Sequence, residues 1–67
     1  MTTRHLKIFL EVYKSGSMTA AAKRLFMTQP SVSQAIHEME EHYGVRLFER
    51  LYRKLYPTPA GKELVLY

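Results

Sequence analysis

Between residues 28 and 38 the chain sets out polar side chains that one helical face can gather: Gln29, Ser31, Ser33, Gln34, His37 and Glu38. Glutamine can pair with N6 and N7 of adenine in a major groove, and serine can exchange hydrogen bonds with several base edges. The N-terminal residues of a helix lying in that groove are the ones that reach bases. The first half of the segment holds no carboxylate, so nothing there would repel phosphate. The same residues would also make an ordinary solvated face, and their surroundings must decide between the two.

A second group follows in Arg50, Arg53 and Lys54, with Tyr52 and Tyr56 interleaved. Such cations can contact phosphates or enter a minor groove, where negative potential favours arginine. Read without context they are a solubilising loop. Arg46 belongs to the same basic stretch.

The run from His37 to His42 superficially resembles the zinc-protease helix motif. Its histidines are five residues apart, about 500° of helical rotation and so some 140° from a common face. They cannot share a metal. His37 and Glu41 do share a face, as an exposed i, i+4 pair. Neither a glycine-rich phosphate loop nor a serine–base–acid set is present, and no catalysis is expected.

The elements that must position these groups are legible. Leu6, Phe9, Leu10 and Tyr13, widened by Ile8 and Val12, form the stripe of an amphipathic helix over 4–14. Gly16 can adopt the left-handed conformation that ends it. Ser17 is an N-cap for a short helix over 18–25, whose Ala20, Ala21 and Ala22 let another helix cross closely. Thr28 caps a third helix over 29–43, with Pro30 in its first turn and Gly44 after it. Val32, Ile36, Met39 and Tyr43 turn inward. Two helices joined by three residues, with Met27 apolar in the join, describe a helix-turn-helix.

Beyond Gly44 the periodicity changes, and residues 45–56 fit two short strands around a basic tip. Thr58-Pro59 starts a further helix that Glu63, Leu64, Val65 and Leu66 carry to the last residue, so the chain reads as a fragment of a longer protein. The expected fold is mainly α: a three-helix core, a short β-hairpin wing and the beginning of a C-terminal helix.

Size and composition agree. Sixty-seven residues form one domain, burying only about 60% of the unfolded surface. An apolar content of 46% supplies one modest core. The absence of cysteine removes disulfides and thiolate metal sites, and it fits a reducing compartment. No run approaches the roughly 18 apolar residues of a membrane span, and no signal-peptide block opens the chain. Ten Lys and Arg against six acids give a charge of +4, which points to a polyanionic partner. Five of the ten cations, Arg46, Arg50, Arg53, Lys54 and Lys62, fall in the last third.

Taken in order, Gly16-Ser17-Met18-Thr19-Ala20-Ala21-Ala22, Leu25, Thr28-Gln29-Pro30-Ser31-Val32-Ser33, Leu47-Phe48-Glu49-Arg50 and Thr58-Pro59-Ala60-Gly61 resemble the N-terminal domain of LysR-type bacterial transcriptional regulators. The resemblance covers the whole chain. It implies a winged helix-turn-helix over 1–58 and the start of a linker helix over 59–67. That helix would pair subunits into a homodimer or homotetramer. An effector-binding domain would follow it, taking a small molecule, while this domain itself would need no cofactor. The implied function is sequence-specific binding of double-stranded DNA to regulate transcription initiation, in the bacterial cytoplasm with the nucleoid and away from membranes. The family's DNA-reading positions map onto Gln29, Pro30, Ser31, Ser33, Gln34 and His37, with Arg50, Arg53 and Lys54 in the wing. Ser17, Thr19 and Thr28 stand where hydroxyls can meet phosphates.

Five positions depart from the family pattern. Gln34 and His37 replace positions often cationic, which shifts phosphate attraction to the wing. Tyr52 stands at the tip where Gly or Asn is common. Pro57 replaces an aliphatic residue, with a shortened second strand expected. Met18 stands where Phe is usual. The rival reading is a winged helix whose neutral face docks a protein instead of DNA.

Overall fold

The computed structural model describes residues 2–52 and 54–66. Its elements run α1 (Thr3–Ser15), α2 (Met18–Leu25), α3 (Gln29–Tyr43), β1 (Phe48–Leu51), β2 (Lys54–Pro57) and α4 (Pro59–Val65). Each helix begins on a hydroxyl. Thr2, Ser17, Thr28 and Thr58 accept from the backbone N–H of His5, Ala20, Ser31 and Gly61, respectively. Each bond satisfies a donor that the helix itself leaves unpaired. α4 ends at Val65, with Leu66 as its cap, and Tyr67 lies outside the described residues.

The core is the crossing of α1, α2 and α3, closed below by the base of the hairpin. Ile8, Phe9, Val12, Ala21, Ala22, Val32, Ala35, Ile36, Met39, Leu47 and Phe48 are buried. Ala21 and Ala22 are the points where bulk would keep the helices apart. The Phe9 and Phe48 rings lie 5.4 Å between centroids, so the hairpin base packs directly on α1.

The stripe on α1 differs from the sequence expectation. Leu6 and Leu10 are 42% and 40% exposed, and the face that packs is Ile8, Phe9 and Val12. Both stripes have helical spacing and share Phe9. The one that wins faces α2 and α3 together.

β1 and β2 pair antiparallel, with Phe48 opposite Pro57 and Leu51 opposite Lys54. Pro57 therefore lies within β2, contrary to the expected shortening. It ends an edge strand of a two-stranded sheet, where a missing N–H is tolerated. The connection starts at Tyr52, whose φ of 51° meets the left-handed demand of a tight hairpin without glycine.

Three anchors hold the hairpin. The Leu55 N–H donates to the Gly16 carbonyl at 3.2 Å and the Thr58 N–H to the Leu47 carbonyl at 3.0 Å. The Thr58 hydroxyl also donates to the Arg46 carbonyl. Gly61 packs so closely beneath Leu47 that an added Cβ would sit 2.4 Å from its carbonyl oxygen.

Candidate nucleic-acid interface

α3 carries the candidate reading face because its opposite side is buried through Val32, Ala35, Ile36 and Met39. Gln29, Pro30, Ser31, Gln34 and His37 are exposed and Ser33 is half-buried. The exposed groups are ordered by one another. The Thr28 hydroxyl accepts from the Ser31 N–H at 3.3 Å and donates to the Ser31 hydroxyl at 2.8 Å. The Gln29 amide N–H donates to the Ser33 hydroxyl one turn on. His37 Nε2 lies 2.6 Å from Glu41 Oε1, the i, i+4 pair expected from spacing. α3 contains no Lys or Arg.

Glu38 lies farther along this helix. Its Oε1 is 3.0 Å from His5 Nε2, and the Thr2 hydroxyl lies 2.8 Å from Nδ1 of the same ring. The hydrogen bond from His5, then one from Gln34, holds the Glu38 carboxyl below its ordinary value of 4.5. The start of α1 is thereby tied to the middle of α3.

The wing presents its cations on exposed positions: Arg50 opposite Leu55, and Lys54 opposite Leu51. Arg53 lies outside the described residues. A cleft of about 250 Å³ separates wing from helix, and Ser33, His37, Arg46 and Arg50 are among the residues that line it. Ser33 and His37 of the helix thus share one depression with Arg50 of the wing, while Pro30, Ser31 and Gln34 border another beside Arg4 and His5. Ser17 and Thr28 have their hydroxyls engaged as helix caps, while Thr19 is exposed.

Sequence reasoning missed Glu40. Its carboxylate accepts from the Leu47 N–H at 2.8 Å and the Phe48 N–H at 3.4 Å, fastening α3 to the first strand. The one available signal is a carboxylate beside the buried Met39. The amides it serves are seven and eight residues away, beyond any local rule. The His5–Glu38 link, across 33 residues, has no sequence signal at all. Among the described residues no group of three His, Cys, Asp or Glu is placed to hold a metal ion, and no helix is long and apolar enough to cross a membrane.

A recognition-type helix packed on two others, with a hairpin docked beside it, defines the winged helix-turn-helix class. Residues 3–62 match the family described as "Bacterial regulatory helix-turn-helix protein, lysR family", and the chain belongs to that family. It is 46% identical over 63 residues to the HTH-type transcriptional regulator TdcA of Escherichia coli (strain K12), covering 94% of this chain and 20% of that protein. Among solved structures it resembles the CbnR_DBD–DNA complex (TM-score 0.93, 39% identity, 98% of this chain and 76% of that one). The BenM_DBD/benA site 1 DNA complex is similar (TM-score 0.94, 39% identity, 100% of this chain and 75% of that one). The chain spans about a fifth of the length of the curated relatives it matches.

Proposed function

We propose that this chain binds double-stranded DNA sequence-specifically and thereby regulates transcription initiation, with no catalytic step of its own. The observation that carries this reading is the placing of a cationic hairpin beside a hydrogen-bonding helix face whose N-terminal half holds no carboxylate, with Ser33, His37 and Arg50 lining one cleft. In the major groove, Gln29, Pro30, Ser31, Ser33, Gln34 and His37 face base edges. Arg50 and Lys54 hold the flanking backbone or minor groove, joined by Arg53 on the strength of the family pattern. Thr19, with the capped starts of α2 and α3 at Ser17 and Thr28, lies against phosphates. That the similar CbnR and BenM domains form complexes with DNA supports the DNA-binding reading.

Residues 1–58 form the binding module, and α4 (Pro59–Val65) is the start of a linker helix that pairs subunits into a homodimer or homotetramer. Paired modules read half-sites about one helical turn apart or a multiple of it. A small-molecule effector acts on a further domain of the whole protein, which works in the bacterial cytoplasm on the nucleoid.

Titrating the chain into random duplex and into a duplex selected from a random pool, over a salt series, tests the reading. With roughly four phosphate contacts per domain, log K falls against log salt with a slope of about −4. A slope of zero, or no binding to random duplex at low salt, overturns it in favour of a protein-docking surface.

A further inference from the structure

The ends of α1, α2 and α3 solve one problem in two ways. Each closes on a left-handed residue: Gly16 at φ 68°, Phe26 at φ 56° and Gly44 at φ 70°. At α2 the Met27 N–H returns to the Ala22 carbonyl at 2.9 Å and the Phe26 N–H to the Lys23 carbonyl at 3.4 Å. This is the double closure of a Schellman motif, and it requires the left-handed residue. Glycine adopts that conformation freely, whereas a residue with a Cβ, above all a bulky one, is strained in it. Two of the ends have glycine. The one that opens onto α3 has phenylalanine.

The domain recovers nothing for this. Phe26 is 97% exposed, while Met27 beside it packs against the core. Single exposed apolar residues are commonplace. An aromatic side chain that is both strained and bare is not, and the described residues include two, Phe26 and Tyr52 at the wing tip (φ 51°, 94% exposed); such strain concentrates where a partner is met.

We infer that Phe26 is a DNA-contact residue, its ring packing on the sugar–phosphate wall at the rim of the groove that α3 enters. The inference rests on the DNA-binding reading above. Phe26 precedes Gln29 by three residues, so their Cα atoms lie within about 11 Å. The major groove is about 12 Å wide. With Gln29 at a base edge, Phe26 stands at the groove's border. The exposed Lys23 lies in the same last turn of α2, a cation suited to the adjoining phosphate. Arg24 is turned away, its Nε 3.0 Å from Glu11 Oε2. A contact with the backbone is blind to sequence, and an apolar one releases no counterions.

Phe26→Asn and Phe26→Tyr test this. Asparagine tolerates the left-handed region, and tyrosine keeps the ring. Phe26→Asn is expected to leave the thermal midpoint unchanged or raised. It lowers affinity for the selected and the random duplex together, by about fivefold, as half-burial of a phenyl ring implies. The ratio of the two affinities and the salt slope stay at their parent values, and Phe26→Tyr binds as the parent does. Unchanged affinity in Phe26→Asn overturns the inference and leaves the ring for some other occupant. A collapsed affinity ratio or a lowered midpoint overturns it too, by showing that Phe26 acts through the fold. A parent chain that binds neither duplex removes the DNA-binding reading itself, a result distinct from a binding parent indifferent to the Asn variant.

Discussion

The polar face of α3 and the wing meet at one cleft, where Ser33 and His37 stand across from Arg50, yet they are built by different means. The face is local: Thr28, Gln29, Ser31 and Ser33 cap, bond and orient one another within the first two turns of the helix. It contributes hydrogen-bonding groups and no Lys or Arg. The wing is non-local. Its base is fixed by Glu40 from α3, the Gly16 carbonyl from the α1–α2 turn, and the close seat of Gly61 under Leu47. It contributes cations. The hydrogen-bonding groups therefore rest on short-range geometry, while the placing of the charge beside them depends on the tertiary fold.

The largest effect is expected where the wing is seated. Gly61→Ala places a methyl group 2.4 Å from the Leu47 carbonyl oxygen, which is backbone and cannot swing aside. A loss of about 2–3 kcal/mol follows from overpacking of this kind. Urea denaturation reads it as a lower midpoint at constant slope. An unaltered midpoint would mean that α4 slides freely on the hairpin, and the contrast between local and non-local construction would fail.

Next comes the contrast in DNA binding. Arg50→Ala weakens every duplex alike and reduces the magnitude of the salt slope by about 1. Gln29→Ala costs on the order of 1–3 kcal/mol at the selected site alone. Anisotropy titrations on selected and random duplexes separate the two. If Gln29→Ala weakened random duplex equally, α3 would not be the reading element.

The smallest effect concerns how α1 braces the reading helix. Hydrogen bonds from His5 and Gln34 lower the Glu38 carboxyl below 4.5 in the folded chain. That stabilisation is complete above the unfolded value and fades as pH falls through the folded one. In Glu38→Gln the acid limb of a stability–pH profile flattens below about pH 4.5, and the profile above it keeps its shape. Identical acid limbs would show that the His5 link contributes nothing to folding.

Helix positions were legible in the residues because their signals are local. Ser17, Thr28 and Thr58 cap where their hydroxyls say, and Gly16 and Gly44 end helices as their lack of a Cβ allows. The polar face of α3 was legible for the same reason, since burial of Val32, Ile36 and Met39 leaves Gln29, Ser31 and Gln34 outward by helical period. Period could not choose between the two overlapping stripes of α1. That choice depends on where α2 and α3 lie, and it excluded Leu6 and Leu10 from the core.

By itself, then, the sequence specified the helices, their caps and the hydrogen-bonding face, because each follows from contacts within about four residues. Only the tertiary structure decided the rest. It brought Arg50 to the same cleft as Ser33 and His37 and gave Glu40 the hairpin's amides to hold. It also left Phe26 alone in solvent at a turn where glycine would cost less. Those outcomes join residues far apart in the chain, or turn on the absence of any neighbour, and no local pattern encodes either.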